Sequence, residues 1–486
     1  MDATTDRAPR EPGPSADSPE DTPRRRPFSH WARQVAGIPL PPEADRARER
    51  PIAVSRFIPL TRQAVIADLC RDVEDGAATQ TFAELALRLE RHRNHDYRAL
   101  GREMRRLYLP FSPDADTLKV YEPDPSEAAA MEARLAELTT HLLTRANYTA
   151  LRNQEITEIL SSQSSYSLRI TVDLAEYNLL QVFVRDVYIK THAVRRPETA
   201  YILKYEYKVR VYRRLFVLLK LKSDADRARD VAAAEGISEA RALKRVKKRR
   251  KQLPQDTTAE HIYIKVFKDM PEHDLQILFP LRRVQFRPFD KIKFFATAGG
   301  GTLFGIFTTT GKVLAATNPF AAVGALIGFA GLLGRQVATF FNQRTRYMME
   351  LAQKLFFHNL ANNRAALALL LDRAEEEDVK EDLITLYFLA GQTLEERELA
   401  AAKRRIDDII VERYGVAVDF ELDDALSRLV KDGAVVREGS VLKFPTIAEA
   451  SARYQELARA DDVRDTRELV SDSAVRCERE ADLTEA

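Results

Sequence analysis

The chain has 486 residues, 45% hydrophobic and 30% charged, and its 75 Lys and Arg against 73 Asp and Glu leave a net charge of +2. That length and composition exclude a wholly disordered chain, a collagen-like repeat and a disulfide scaffold, and they predict roughly two to four domains. A mean hydropathy of −0.34 excludes a polytopic channel, although an average over this length hides one apolar hairpin.

Residues 1–55 read as a disordered tail, because eleven of the 22 prolines fall in the first 59 residues among mixed charges and little there is available for burial. The tail lacks the apolar run of a secretory signal and the acid-poor character of a transit peptide. Cys70 and Cys477 have no metal-ligand or redox spacing, which fits a reducing compartment.

Residues 56–293 predict an α+β domain. Ala64–Leu69, Phe82–Leu89 and the series Met131, Leu135, Leu138, Leu142 have helical spacing. His92 and His95 lie three apart near Glu84 and Glu90, which raises a metal site, but their charged neighbours favour a solvated face. From Leu168 the period becomes two. Leu168, Ile170 and Val172 alternate, followed by Tyr207, Val209 and Val211, then Leu215, Val217, Leu219 and Leu221, then Ile262, Ile264 and Val266, with Val284 and Phe286 closing the set. These predict a mostly antiparallel sheet. Residues 224–260 read as a charged helical insertion, and eight of the eleven residues from Arg241 to Lys251 are basic. Lys244, Arg245, Lys247, Lys248, Arg249, Arg250 and Lys251 form a candidate cluster for anionic lipid head groups; a solvated helix face is the alternative. Nucleic acid ranks lower, since the run lacks aromatic stacking partners.

Between Phe294 and Gly334 the sole charge is Lys312, which divides two apolar runs of 18 and 22 residues. Each is about the length of one membrane span, so residues 294–334 predict a two-helix transmembrane hairpin. Gly301 with Gly305, and Gly324 with Gly328, have the spacing for helix packing in lipid. Nine basic residues flank the hairpin against one in its turn, which predicts both termini in the cytoplasm. The expected location is the bacterial inner membrane, with a mitochondrial membrane as alternative.

Residues 335–378 predict post-membrane helices, with Asn362 and Asn363 offering an N-cap and an acidic stretch from Asp372 to Asp382. That stretch reads as a solvated or salt-bridged helix. Residues 379–458 predict a winged-helix-like module: helices around Leu383–Leu389, Leu399–Ile410 and Asp419–Val430, then a hairpin from Gly433 to Phe444. Its third helix, Asp419–Asp432, has five acidic against two basic residues, which disfavours phosphate contact. Residues 459–486 read as a disordered acidic tail.

Several motifs recur in one order: Arg56–Leu60 (RFIPL), Tyr108–Pro113 (YLPFSP), Ile262–Pro271, Leu278–Pro280, Asp290–Lys293, Asn342–Met348, Leu355–Leu360 and Ala374–Glu381. Over roughly Arg56–Thr446 they resemble the transmembrane protein 143-like family of uncharacterised two-span membrane proteins. The resemblance implies two spans and a domain of unknown function, and it carries over no catalytic residues.

No catalytic constellation, cofactor or metal set emerges from the sequence. The leading expectation is an integral membrane protein acting as a scaffold or regulator that faces the cytoplasm, with the bilayer and an unknown protein as partners. One alternative is an enzyme with a site between the two soluble regions, drawing on the candidate cluster His358, Asn359, Asn362 and Asn363 with the acidic helix. The other is a membrane-tethered DNA-binding protein.

Overall fold

A computed structural model describes residues 54–72, 76–114, 122–161, 168–195, 204–251, 253–254, 257–286, 349 and 355–464. Helices α1 (Arg62–Arg71), α2 (Gly76–Tyr108), α3 (Pro125–Arg145) and α4 (Asn153–Ser161) precede most of the sheet. Asp124 caps α3, accepting from the Ser126 and Glu127 amides, with Pro125 at the first helical position.

The main sheet is antiparallel, in the order β1-β3-β4-β5-β7. Its strands are β1 (Thr149–Ala150), β3 (Tyr177–Arg195), β4 (Lys204–Leu221), β5 (Ile262–Pro271) and β7 (Asn359–Asn362). The two alternating runs of 207–211 and 215–221 therefore belong to one long strand. A separate ribbon pairs β2 (Leu168–Val172) with β6 (Arg282–Phe286), so the latter does not close the main sheet. Helices α5 (Asp224–Glu235) and α6 (Glu239–Arg250) form the expected insertion between β4 and β5.

Both faces of the sheet are buried. Phe183, Phe216, Leu218, Ile262, Ile264 and Val266 pack with α2, α3 and a long later helix. Val182, Val184, Leu215, Val217, Leu219 and Phe267 pack on the other side with α4 and the turn 272–278. Burial on both faces explains the almost continuous apolar run Leu215–Leu219.

One row of the sheet is irregular. Asp186 on β3 and Asp269 on β5 have φ of 55° and 49°, and both lie level with Arg213 of β4. Across that row the side chains in the second core step by three residues in all three strands: Val184 to Val187, Leu215 to Tyr212, and Phe267 to Met270.

The long helix is α7 (Asn363–Phe388), 26 residues buried on every side over its second half. Ala366, Leu367, Leu370 and Ala374 belong to the sheet-side core, whereas Val379, Leu383, Ile384 and Leu386 belong to another. The latter core draws on β8 (Thr393–Glu395), α8 (Leu399–Tyr414), α9 (Leu422–Lys431), β10 (Val441–Lys443) and a helix α10 over 447–464, while β9 (Val436–Glu438) is exposed at its rim. The three strands pair in the order β8-β10-β9, completing the helix–strand–helix–helix–hairpin order of a winged helix. Val65, Leu69, Phe82, Leu85 and Leu89 of α1 and α2 are part of this same core.

The two-helix transmembrane hairpin is corrected by this architecture. Among the described residues no helix is long and apolar enough to cross a membrane. The helices long enough to span, α2, α3 and α7, all carry charged residues along them. Residues 294–334, with Gly301, Gly305, Gly324 and Gly328, lie outside the described residues, as do residues 1–53 and 465–486. The membrane location and the orientation deduced from the hairpin fall with it.

Candidate functional site

The feature that stands out is a buried ionic network centred on α7. The acidic stretch read from sequence as solvated or salt-bridged is salt-bridged, and it sits in the core. Glu377, Asp378, Lys380, Glu381 and Asp382 are all at most 2% exposed. Their spacing places carboxylates on adjacent turns of one helix, and beyond Lys380, which pairs with Glu377, cations brought by other elements offset the cost of burying them.

Three arginines do this. Arg428 of α9 reaches Asp378 at 3.0 Å, Glu381 at 2.8 Å and Asp382 at 2.8 Å. Arg93 of α2 bonds Asp382 through Nε at 2.8 Å and Asp432 through Nη2 at 2.5 Å. Arg145, ending α3, reaches Asp378 at 2.8 Å. The Tyr97 hydroxyl donates to Asp378 at 2.7 Å, and the Tyr454 hydroxyl of α10 donates to Asp432 at 2.8 Å. The forked guanidinium is suited to this bridging, because it meets two carboxylates at once.

His92 is the second hub. Its Nδ1 lies 2.5 Å from Asp461 of α10 and its Nε2 lies 3.5 Å from Asp432. Burial alone would lower its pKa, but the bonds to Asp432 and Asp461 outweigh that and hold it above the usual histidine value. The solvated face expected for His92 is thus replaced by a buried ion pair. Among the described residues no group of His, Cys, Asp and Glu is arranged to hold a metal ion.

Charge is close to balanced. Six buried carboxylates (Glu377, Asp378, Glu381, Asp382, Asp432, Asp461) face Arg93, Arg145, Lys380, Arg428 and His92. Burial raises Glu377 and Asp378, and, only partly countered by Arg428, pushes Glu381 up to about 8.

A strap at residues 55–60 closes the network. The Ile58 amide donates to Glu377 at 3.1 Å, and Lys380 Nζ, also paired with Glu377, donates to the Ile58 and Leu60 carbonyls at 2.7 and 3.0 Å. Phe57 lies with Arg185 3.8 Å and Lys380 4.8 Å from its ring centre. Ser55 bonds Asp186 of β3 and bridges Val418 in parallel, and Arg56 pairs with Glu421 at 2.7 Å. The strap thereby ties the sheet, α7 and the winged-helix module together. It is the RFIPL motif, and its partner is the Ala374–Glu381 motif.

The other sequence candidates lie elsewhere. Asn363, buried with φ 47°, accepts from the Ile264 amide at 3.0 Å and donates to Asp114 at 2.8 Å. Asn362 accepts from Lys265 at 3.2 Å, and the His358 ring bonds the Lys268 carbonyl at 2.8 Å. His358, Asn359, Asn362 and Asn363 thus serve the edge of β5. Fourteen helical residues, about 21 Å, separate Asn363 from Glu377, so this cluster does not meet the acidic one. On α6, Arg245, Arg249 and Arg250 are paired with Glu235, Glu176 and Asp224, whereas Lys244, Lys247, Lys248 and Lys251 face outward.

Sequence reasoning missed Arg93, Arg145, Arg428, Tyr97, Tyr454 and Asp461 as partners. A usable signal exists at Arg428, a lone cation on the apolar side of an amphipathic helix, in register with Leu422, Ala425 and Leu429.

A family profile described as a protein of unknown function, DUF3754, matches residues 212–365, less than a third of the chain. It runs from within β4 through β7 to the first turn of α7, short of the ionic network. No solved structure matches the chain.

Proposed function

We propose that this chain is a non-catalytic scaffold or regulatory protein whose winged-helix module serves protein contact. One observation carries the reading: Arg428, on the third helix of the module, is turned inward and buried against Asp378, Glu381 and Asp382. In a DNA-reading winged helix the third helix offers cations to the major groove. Here its exposed or half-exposed charged residues are Asp423, Asp424 and Lys431, a net negative face that repels phosphate. The residues left outward are those of the hairpin, where Val436 is 48% exposed beside Arg437. The two motifs in contact at the strap, RFIPL and Ala374–Glu381, are among those that carry the family resemblance, and we take this interlock as the part such relatives share.

The test uses the intact protein. Affinity capture is compared between the natural chain and Val436→Asp, whose side chain makes no core contact. A specific protein captured by the first and lost by the second supports the reading. Salt-sensitive retention of duplex DNA that survives Val436→Asp, with no protein captured, defeats it.

A further inference from the structure

The α5–α6 hairpin carries ten basic residues against five acidic ones between Asp224 and Lys251, and the structure sorts them by task. Arg227 bonds Glu176 at 2.9 Å and also pairs with Asp173; Arg249 bonds Glu176 at 2.7 Å; Arg250 bonds Asp224 at 2.6 Å and the Lys222 carbonyl at 2.7 Å. These arginines pin the hairpin to the body. Ala242 and Val246, with Leu243, fill a small core against Val231, Ala232 and Ile237. Four of the five acidic residues are also engaged: Asp224 with Arg250, Asp226 with Arg229, Asp230 with Lys222 and Glu235 with Arg245. Glu239 in the first turn of α6 is the acidic residue left over.

Five cations remain: Arg241, Lys244, Lys247, Lys248 and Lys251. All are exposed and none has a side-chain partner among the described residues. At about 100° per residue they fall within an arc of about 120°, along about 15 Å of helix. That arc lies opposite Ala242 and Val246. The preference of cations for a helix C-terminus accounts for the last turn but not for Arg241 or Lys244 in the first two. Like charges this close repel one another, so the stripe destabilises the hairpin unless an anion meets it.

We propose that this stripe is a docking surface for the head groups of anionic phospholipids, on which α6 lies flat without inserting. Three features favour that partner. The stripe holds no apolar or aromatic side chain, so neither insertion nor base stacking is available to it. Its outward charges are mostly lysine ammonium groups, point charges suited to a fluid array of head groups, whereas three arginine forks of α6 that would fix a phosphate in one orientation are consumed internally. Its cations lie in one arc on the side of α6 away from Ala242 and Val246, so a planar surface can meet all of them at once.

The experiment is co-sedimentation of the full chain with phosphatidylcholine vesicles, with and without phosphatidylserine. Each lysine near an anionic surface strengthens partitioning by about fivefold. Replacing Lys244, Lys247, Lys248 and Lys251 with Gln is therefore expected to weaken partitioning onto serine-containing vesicles by more than about a hundredfold. The fourfold Lys→Arg variant retains it, and raising salt from about 0.1 M to about 1 M abolishes it. These lysines make no internal contact, so the melting temperature should not fall; if it does, Lys248→Glu alone gives the same sign of effect. Absence of binding, equal binding to vesicles without phosphatidylserine, or unchanged binding by the Gln variant would overturn the proposal. So would lysine-dependent retention of duplex DNA in place of vesicles.

Discussion

Arg428 and Glu381 show how differently two members of one buried network respond to loss of charge. Arg428 touches three carboxylates. Arg428→Met leaves them without their main counter-charge, and a cost of about 3–5 kcal/mol is expected from urea unfolding. Glu381 is the carboxylate that the network already holds neutral. Glu381→Gln should raise stability at pH 7, by up to about 3 kcal/mol, since folding no longer has to protonate a carboxylate that is ionised in the unfolded chain. The pH dependence follows with its sign. Glu381 is raised to about 8 by burial, so between about 4.5 and 8 the folded chain holds a proton that the unfolded chain has released, and stability falls as pH rises. Arg428, Asp378 and Glu377 are the charged groups that act on it. His92 adds to the same trend, because its raised pKa gives stability that is complete below about 6.5 and is lost as pH climbs through the folded value. Thermal melts should therefore decline from pH 6 to about 9, and Glu381→Gln should flatten the first part of that decline. A melting temperature that rises over the interval would contradict the assignment.

At the scale of elements, α7 is the piece on which the fold depends, and its packing is tight where α2 crosses it. A Cβ built on Gly101 comes within 3.0 Å of Leu371 Cδ1. Gly101→Val is thus expected to destabilise by about 1–3 kcal/mol through overpacking, read as a shift in the urea midpoint without a change in slope. Much of the element list is legible in the sequence: α1–α3 and the winged-helix order follow from the spacing of apolar residues and the turn at Glu438-Gly439-Ser440. Strand β3 is not. The phase step at Asp186 breaks its alternation, and a period of two is the signal a half-buried strand offers. α7 is illegible for a related reason. Its second half is buried all round, and part of what it buries is charged, so neither an apolar stripe nor a polar face marks it. The network is the least legible part, because its arginines come from α2, α3 and α9 and only the fold brings them together.

For the whole molecule, the described residues form cores joined by shared elements. The strap at residues 55–60 spans three of those parts, so cutting it should loosen all of them. A chain beginning at residue 62 is expected to lose the Lys380 and Glu377 contacts and to melt at lower temperature, with α7 exchanging its amide hydrogens faster. Unchanged protection of α7 would show that the strap is dispensable. The apolar 294–334 segment, whose length and single charge predict membrane spans, lies outside the described residues, while the helices that are described bury their apolar faces against one another.

The pairing of α1 and α2 with the winged-helix core has a consequence for how the protein comes into being. Phe82, Leu85 and Leu89 find their partners in Val379, Leu383 and beyond, nearly three hundred residues later in the chain. At roughly 5–20 residues per second, translation leaves those side chains uncovered for about 15–60 s. Contacts of such long range form slowly even in a finished chain. Nascent chains stalled before α7 should therefore be sticky and rich in bound chaperone, and chains released after α10 should shed it.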